Sequence, residues 1–300
     1  MTTPPKPAAI DTEAPHVMPA NPARIATLLS NLSSVTVRVT SASQKASRDK
    51  PIRLVAVSKL KPVSDIIALH SPPVNLPSAH LHFAENYLNE LLEKSRLLPP
   101  SIKWHFVGGL QSNKCVSLAR DVRGLWAVES VDSEKKASLL DKGWSERPTD
   151  PNLRGTTVGV ACGGGEQPDN EDDKKLRIYI QVNTSGEDNK SGVDPAHAAA
   201  LCRFIRDRCP RLKLQGLMTI GAIARSQATS PGTQNEDFLC LRETRDRVAG
   251  ELGLDSPDEL ELSMGMSQDF EGAIALGSDE VRIGTILFGD RPPKAEATIF

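Results

Sequence analysis

Residues 53–60 read Arg53-Leu-Val-Ala-Val-Ser-Lys-Leu60, an apolar run of strand length that passes into a serine and a lysine. A nearly continuous apolar run of this length, rich in β-branched residues, is typical of a strand in a parallel sheet that is covered on both faces. Further runs of similar length follow along the chain, separated by stretches long enough to hold a helix. They are His80–Asn86, Ile102–Leu110, Gly124–Val131, Arg177–Thr184, Leu212–Ile220, Glu261–Met266 and Val281–Gly289.

The alternation of strands with helix-length stretches predicts an α/β fold built from parallel βα units. Eight strands are the number found in a (β/α)8 barrel, and the chain from Arg53 onward has the length typical of that fold. Before the first strand, Pro22–Ser43 carries Leu28, Leu32 and Val35 at the spacing of an amphipathic helix. We therefore predict a single (β/α)8 TIM-type barrel with an extra N-terminal helix.

Composition sets the expected boundaries of this barrel. Residues 1–21 contain prolines and acidic residues without an apolar core, which predicts a disordered N-terminal tail. We place the barrel at residues 22–290 and a C-terminal tail at residues 291–300. Residues 144–175 include a run of three glycines and the acidic stretch Asp169–Asp173. Such a composition buries little apolar surface, so we expect a flexible insertion there.

The charge balance argues against a polyanionic partner. The chain has 36 basic and 38 acidic residues and a net charge of −2, so no overall field draws it to nucleic acid or to an anionic membrane. No run of about 18 apolar residues is present to span a bilayer. The 5 cysteines are scattered without metal-ligand spacing, which favours reduced thiols. We predict a cytoplasmic monomer, with a mitochondrial pool as the second possibility.

Lys59 is the first candidate for chemistry, because it lies where the first strand ends. Functional residues of (β/α)8 barrels lie at the C-terminal ends of the strands. Partial desolvation at the barrel mouth would lower the pKa of the lysine and free its amine to attack an aldehyde. The alternative is a solvated lysine that merely ends a strand.

The loops after the seventh and eighth strands have the composition of a phosphate site. They read Leu262-Ser-Met-Gly-Met-Ser267 and Val281-Arg-Ile-Gly-Thr285, in which glycines lie next to hydroxyls. Barrels often bind phosphate at these two loops. Ser267 is also suited to be the N-cap of a following helix. Arg282 would point its guanidinium at the mouth, or else form an ion pair within the barrel.

Two further polar residues on strands have less specific patterns. Asn86, at the end of the second strand, could bond a ring substituent, or it could start a turn or helix. His105 lies in mid-strand without a second ligand at metal spacing, so we expect a packed, hydrogen-bonded histidine. We predict no metal site in this chain.

Several motifs in a fixed order resemble those of the pyridoxal phosphate homeostasis proteins, whose barrel is similar to the N-terminal domain of alanine racemase. The resemblance spans most of Arg53–Asp290. Its signatures are Ala56-Val-Ser-Lys59, Ala84-Glu-Asn-Tyr87, Trp104-His-Phe-Val-Gly108, Leu110-Gln-Ser-Asn-Lys114, Gln181-Val-Asn183, Asn189-Lys-Ser-Gly192, Leu214-Gln-Gly-Leu-Met218, Leu262–Ser267, Val281–Thr285 and Phe288-Gly289.

The resemblance implies that pyridoxal 5'-phosphate (PLP) is held as a Schiff base on Lys59. It implies that Arg282 lies near the pyridine nitrogen, where a cation disfavours ring protonation and weakens the ring as an electron sink. The partners it implies are PLP itself and, transiently, PLP-dependent apo-enzymes. The remaining implied cofactor-binding residues are Asn86, Met218, Ser263, Ser267, Gly284 and Thr285.

Two positions depart from the usual family pattern. Ala84 stands where the family usually has glycine, and Gly109 stands where a bulkier or cyclic residue is common before the leucine. Neither position belongs to the lysine or to the phosphate set. These departures therefore bear on the shape of the pocket alone.

Three functions remain open from the sequence. The first is a PLP-binding carrier and homeostasis protein without catalytic residues. The second is a PLP-dependent amino-acid racemase, which needs a second base opposite the lysine. The chain has 2 tyrosines, Tyr87 and Tyr179, and ends soon after the eighth strand, so we expect no second base of the alanine racemase type. The third is a barrel that binds another phosphate-bearing ligand without chemistry at Lys59.

Overall fold

The computed structural model describes residues 18–72, 79–148, 171–187, 190–221 and 235–297. Eight parallel strands form a closed barrel in sequence order, which confirms the predicted fold. The first strand pairs with the eighth, with Val55 beside Arg282, and this pairing closes the barrel. The strands are β1 (Arg53–Val57), β2 (His82–Glu85), β3 (Lys103–Phe106), β4 (Leu125–Val131), β5 (Leu176–Gln181), β6 (Leu212–Met218), β7 (Glu261–Ser263) and β8 (Glu280–Ile283).

The helices alternate with the strands around the outside of the barrel. Short 3-10 helices occur at Glu171–Lys174, Pro195–His197 and Pro257–Glu259. No helix of the described ranges is long and apolar enough to cross a membrane. The α-helices there are α1 (Pro22–Lys45), α2 (Val63–His70), α3 (Leu88–Leu97), α4 (Ser112–Asp121), α5 (Glu134–Ser145), α6 (Ala198–Arg208), α7 (Glu236–Leu252), α8 (Phe270–Ala275) and α9 (Thr285–Phe288).

The extra N-terminal helix α1 begins where the sequence predicts it. The Asn21 side chain caps it by accepting a hydrogen bond from the backbone N–H of Arg24 at 2.8 Å, and Pro22 occupies the first turn, where its missing N–H costs nothing. The helix packs on α2, α8 and α9. Its buried stripe consists of Leu28, Leu29, Leu32, Val35, Val39 and Ala42.

Helix α1 also fixes the loop that follows β8. Arg24 donates to the carbonyl oxygen of Phe288 at 2.8 Å, and Asn31 donates to that of Leu287 at 3.0 Å. The same Arg24 guanidinium pairs with Asp65 of α2 at 2.6 Å. The carbonyls at the end of α9 are thus satisfied by side chains of another element, which holds this short helix in place.

A polar layer lies inside the barrel, below its mouth. His105 is fully buried, with Nδ1 2.7 Å from Glu129 Oε1 and Nε2 2.9 Å from His82 Nδ1. Burial lowers the pKa of His105 to about 4, so the ring is neutral. This confirms the expectation of a packed, hydrogen-bonded histidine. Glu280 completes a cluster whose ligand-type atoms lie within 4.8 Å of one another, a proximity that sequence spacing did not indicate.

Several predicted boundaries were wrong at the C-terminal ends of strands. The run Val281–Gly289 was predicted as one strand, but β8 ends at Ile283 and residues 285–288 form α9. The other predicted strands, except Gly124–Val131, also extended past their true ends into the loops at the mouth, as in Arg53–Leu60, where β1 ends at Val57. Most of the predicted insertion at residues 144–175 and of the predicted tail at residues 1–21 lies outside the described residues.

Candidate functional site

A cavity of about 420 Å³ opens at the mouth of the barrel, where the C-terminal ends of the strands meet. It receives residues from the loops after β1, β2, β3, β6, β7 and β8, so distant parts of the sequence meet there. Six of the eight residues that the sequence predicted for cofactor binding line this cavity. They are Lys59, Asn86, Ser267, Arg282, Gly284 and Thr285.

Lys59 follows β1 and is half-buried at the cavity wall. Its pKa is lowered from 10.5 to about 8, first by burial and then by the nearby cation of Arg291. A substantial fraction of the amine is therefore unprotonated near neutral pH. An unprotonated amine is the form that attacks a carbonyl carbon.

Arg282 is almost completely buried in the wall of the same cavity. Its Nη2 donates to the carbonyl oxygen of Thr219 at 2.5 Å, which fixes the guanidinium. Its Nε is buried without a hydrogen-bond partner among the described residues. A buried donor without a partner is costly, so this atom marks a place where a ligand would be stabilised.

The loops after β7 and β8 are joined at the cavity by a hydrogen bond from the backbone N–H of Gly284 to Ser267 Oγ, 3.3 Å long. Ser267 is not the N-cap of a helix, contrary to one expectation, because residues 267–269 form a turn and Asp269 occupies the N-cap position of α8. The hydroxyl of Ser267 therefore faces the β8 loop. Ser267, Gly284 and Thr285 share one side of the cavity wall.

Asn86 reaches the cavity because the loop after β3 passes very close to it. A Cβ added to Gly108 would lie 2.0 Å from the Asn86 carbonyl oxygen, so only glycine permits this approach. The side-chain oxygen Oδ1 of Asn86 is buried and has no hydrogen-bond partner among the described residues. Asp269, which also lines the cavity, has a second buried acceptor without a partner among the described residues, Oδ2. With Arg282 Nε, the cavity residues thus have two orphaned acceptors and one orphaned donor.

Met218 and Ser263, the other two predicted residues, lie below the cavity and do not line it. Met218 is fully buried against Ala127 and Tyr179. The hydroxyl of Ser263 bonds Glu129 Oε2 at 2.8 Å and Glu280 Oε1 at 2.9 Å, within the polar layer of the barrel. Both residues are therefore part of the barrel interior.

Sequence reasoning missed Arg291, which also lines the cavity. It lies in the segment predicted as a C-terminal tail. One of its Nη atoms is 3.8 Å from the position that a Cβ on Gly284 would occupy, so the guanidinium is next to the β8 loop. The apolar residues of the lining were missed as well; they are Val57, Val107, Ile220, Met266 and Ile286. Nothing in the local sequence separates these residues from ordinary positions.

Comparison with known proteins agrees with this geometry. Residues 31–292 match the family model described as alanine racemase, N-terminal domain. A pyridoxal phosphate homeostasis protein of Schizosaccharomyces pombe is 37% identical over 271 residues, which cover 90% of this chain and 98% of that protein. Another from Caenorhabditis elegans is 40% identical over 89% of this chain and 96% of that protein.

The chain belongs to the pyridoxal phosphate homeostasis protein family. The resemblance seen in the sequence motifs is thereby confirmed. A solved structure extends the likeness to three dimensions. PipY of Synechococcus elongatus, with PLP bound, is 25% identical and superposes with a TM-score of 0.59 over 87% of this chain and 100% of PipY.

The two tyrosines of this family member lie away from the cavity wall. Tyr179 is fully buried in the barrel, with its hydroxyl 2.5 Å from Glu261 Oε2. Tyr87 lies in an adjoining groove, where Lys294 Nζ is 4.5 Å from its ring centroid. Among the described residues, the lining of the Lys59 cavity therefore contains no tyrosine.

Proposed function

We propose that this chain binds PLP at the mouth of the barrel, holds it as a Schiff base on Lys59, and serves PLP homeostasis and delivery inside the cell. The observation that carries the proposal is an amine of lowered pKa on the wall of a cavity that is also lined by Arg282, Ser267 and Thr285. Membership of the pyridoxal phosphate homeostasis family and the likeness to PLP-bound PipY support it.

The residues present fit this cofactor. Arg282 Nε needs an acceptor and Asn86 Oδ1 needs a donor, and a pyridine ring with polar substituents offers both. The hydroxyls of Ser267 and Thr285 can donate to phosphate oxygens, and Arg291 adds a positive charge beside them. When bound, PLP supplies an aldehyde with which the Lys59 amine condenses, releasing water.

A carrier role follows from the charge of Arg282. A fixed guanidinium near the ring nitrogen disfavours a proton on that nitrogen, and an unprotonated ring withdraws electrons poorly from a bound substrate. The tyrosines that could serve as a second base lie elsewhere, Tyr179 in the barrel interior and Tyr87 in the adjoining groove. Both features favour a binding protein over an amino-acid racemase.

The proposal includes three finer statements. The protein acts as a monomer, meets PLP-dependent apo-enzymes transiently, and works in the cytoplasm, where scattered cysteines stay reduced. Each has its own test: light scattering for mass, reactivation of an apo-aminotransferase across a dialysis barrier or in direct mixture, and cell fractionation. Faster reactivation in direct mixture is expected if contact between the two proteins aids transfer.

The binding proposal is tested by absorbance after incubation with PLP and gel filtration. Lys59→Ala should lose the yellow colour that the parent protein retains. The matched control is Lys61→Ala, because Lys61 is two residues away but bonds the Asp290 carbonyl oxygen and does not line the cavity. If Lys59→Ala keeps the colour of the parent, Lys59 is not the site of attachment.

A further inference from the structure

A cluster of three charged side chains is buried beside the turn that carries Lys59. Lys94, on α3, has no exposed surface. Its ammonium lies 2.7 Å from Glu85 Oε1, 2.7 Å from Glu90 Oε1 and 2.8 Å from the carbonyl oxygen of Ser58. We call Lys94, Glu85 and Glu90 the buried triad. None of the three lines the Lys59 cavity.

The buried triad bonds the residues on both sides of Lys59. On the N-terminal side, the Ser58 hydroxyl donates to Glu85 Oε1 at 2.7 Å, and the Ser58 carbonyl accepts from Lys94. On the C-terminal side, the backbone N–H of Leu60 donates to Glu90 Oε1 at 2.7 Å. Lys59 is thus held from residues 58 and 60, while its own side chain remains free to reach the cavity.

The backbone at this turn is in a conformation that needs such support. Leu60 has a φ of +60°, in the left-handed region that a leucine rarely adopts. A residue in that region persists when surrounding bonds over-determine its conformation. The charged oxygen of Glu90 on the Leu60 N–H is a strong bond of this kind.

An ordinary structural ion pair would not have this arrangement. Glu90 and Lys94 are four residues apart on α3, a spacing that usually gives a solvent-exposed pair of small effect. Here the pair is buried, where desolvation makes its net contribution to folding small or unfavourable. Two bonds of this pair go to Ser58 and Leu60 instead of staying within the helix, and Glu85 on β2 adds a third bond, to the Ser58 hydroxyl. The geometry therefore links the cluster to the placement of Lys59.

We propose that Glu90, acting with Lys94 and Glu85, is a positioning residue that clamps the Ser58–Leu60 turn and so holds the Lys59 amine in its half-buried place at the cavity. The inference rests on the proposed function of Lys59 as the attachment point. Release of the turn lets the amine regain water and its proton. The amine then reacts more slowly near neutral pH.

The test compares variants in the apo protein by trace acetylation with acetic anhydride at pH 8. Peptide mass spectrometry gives the reactivity of Lys59 relative to Lys45, an exposed lysine at the end of α1. Glu90→Ala removes the acceptor of the Leu60 N–H and should lower this ratio roughly tenfold, because a rehydrated amine is mostly protonated at this pH. Loss of the Glu90 charge alone would lower the pKa of Lys59, but this effect is smaller than that of burial. The rate of covalent PLP attachment to Lys59 should fall in parallel.

Two variants separate positioning from general damage. Glu90→Gln keeps an oxygen that can accept from Leu60 and Lys94, so it should restore most of the parent ratio. Asp141→Ala removes a buried carboxylate that likewise accepts one backbone N–H and one cation, both from Arg211 on the far side of the fold. It should leave the Lys59 ratio unchanged even though it destabilises the protein.

The proposal is overturned if Glu90→Ala keeps the parent ratio, or if Glu90→Gln loses as much as Glu90→Ala. Should Glu90→Ala fail to fold, Ser58→Ala removes the hydroxyl bond to Glu85 Oε1 and the longer one to the Ala84 carbonyl oxygen, and should lower the ratio about threefold. An unchanged ratio there also overturns the proposal. Failure of the proposed function looks different. The parent protein would then take up no PLP at Lys59, while the acetylation ratios would still report on the turn.

Discussion

Lys59 and Arg291 line the same cavity although they are far apart in the sequence, and the charge of Arg291 changes the pKa of Lys59. The cation of Arg291 disfavours a second positive charge on Lys59 and so adds to the effect of burial on its pKa. A phosphate bound between the β8 loop and Arg291 would be attracted by the same guanidinium. One side chain thus favours both a free amine and a bound phosphate.

The pH dependence of attachment should follow the pKa of Lys59. Because the amine must lose its proton to attack the aldehyde, the rate of PLP attachment at Lys59 should rise with pH and reach half its maximum near pH 8, the lowered pKa of this group. A stopped-flow series from pH 6 to pH 10 measures it. In Arg291→Gln the midpoint should move upward, and a midpoint near that of free lysine in the parent would contradict the desolvated setting.

Arg291 should also discriminate between PLP and pyridoxal, which lacks the phosphate. Loss of a charge-assisted contact costs about 1.5–3 kcal/mol, so Arg291→Gln should weaken PLP binding roughly tenfold or more and change pyridoxal binding little. Equilibrium dialysis with both ligands measures this. Lys294→Gln is the matched control, since Lys294 is in the same segment but lies over Tyr87 in the adjoining groove. Equal losses for the two ligands would mean that Arg291 does not face the phosphate.

At the scale of residues, most of the polar side chains of the cavity could be predicted, because they belong to recognisable sequence motifs. Lys59, Asn86 and Arg282 stand at or next to strand ends, where barrel geometry brings side chains together. Arg291 could not be found this way, because its position depends on how the chain turns after α9. The buried triad was missed for a related reason. Glu90 and Lys94 have the spacing of an ordinary surface pair, and they are buried because α3 packs against β2 and the turn after β1.

At the scale of elements, the site depends on the close approach of the loops after β2 and β3. Gly108 lies against the backbone of Asn86, whereas a Cβ at the neighbouring Gly109 would meet nothing within 4 Å. Gly109, where this chain departs from the family pattern, therefore has open space for a side chain.

These two glycines form a matched pair for mutation. Gly108→Ala must push the Asn86 backbone aside, so we expect a loss of unfolding free energy of a few kcal/mol, about 2–4, together with weaker PLP binding. Gly109→Ala should stay within about 1 kcal/mol of the parent or gain stability. Urea unfolding monitored by circular dichroism measures both. Similar losses in the two variants would contradict the close approach.

Strand positions were predictable at this scale, while strand ends were not. The period and composition of β1 to β8 identify buried parallel strands, but short apolar stretches also suit helices. Ile286-Leu-Phe288 is such a stretch: it was included in the eighth strand and forms most of α9. The chain turns at Gly284, and Arg24 and Asn31 of α1 then hold the new helix. Contacts from a distant element thus decide a boundary that the local sequence leaves open.

At the scale of the whole molecule, the barrel carries ionisable groups in its interior, which links its stability to pH. Burial, followed by the neighbouring Glu129, raises the pKa of Glu280 to about 7 from 4.5. A group with a raised pKa in the folded state contributes fully below pH 4.5, and this contribution is lost as pH rises through 7. The contribution of His105 to stability changes with pH in the opposite direction, because its pKa is lowered. Variants must therefore be compared to separate the contributions of Glu280 and His105.

Glu280→Gln isolates the carboxyl contribution. The neutral amide has no charge to bury, so the variant should gain stability relative to the parent as pH rises from 5 to 8, by a difference on the order of 3 kcal/mol. Thermal or urea unfolding at several pH values measures it. A constant difference between the two proteins across that range would show that Glu280 does not titrate inside the barrel.

The most direct measurement is borohydride reduction of the PLP-loaded protein followed by peptide mass spectrometry. Reduction makes the link between cofactor and amine permanent, so the modified residue can be read from the peptide mass. We expect one pyridoxyl group per chain, located on Lys59, and none on Lys61 or Lys94. Modification spread over exposed lysines, or no modification after loading, would contradict the assignment of the cavity to PLP. Only the assignment of the barrel fold would then remain supported.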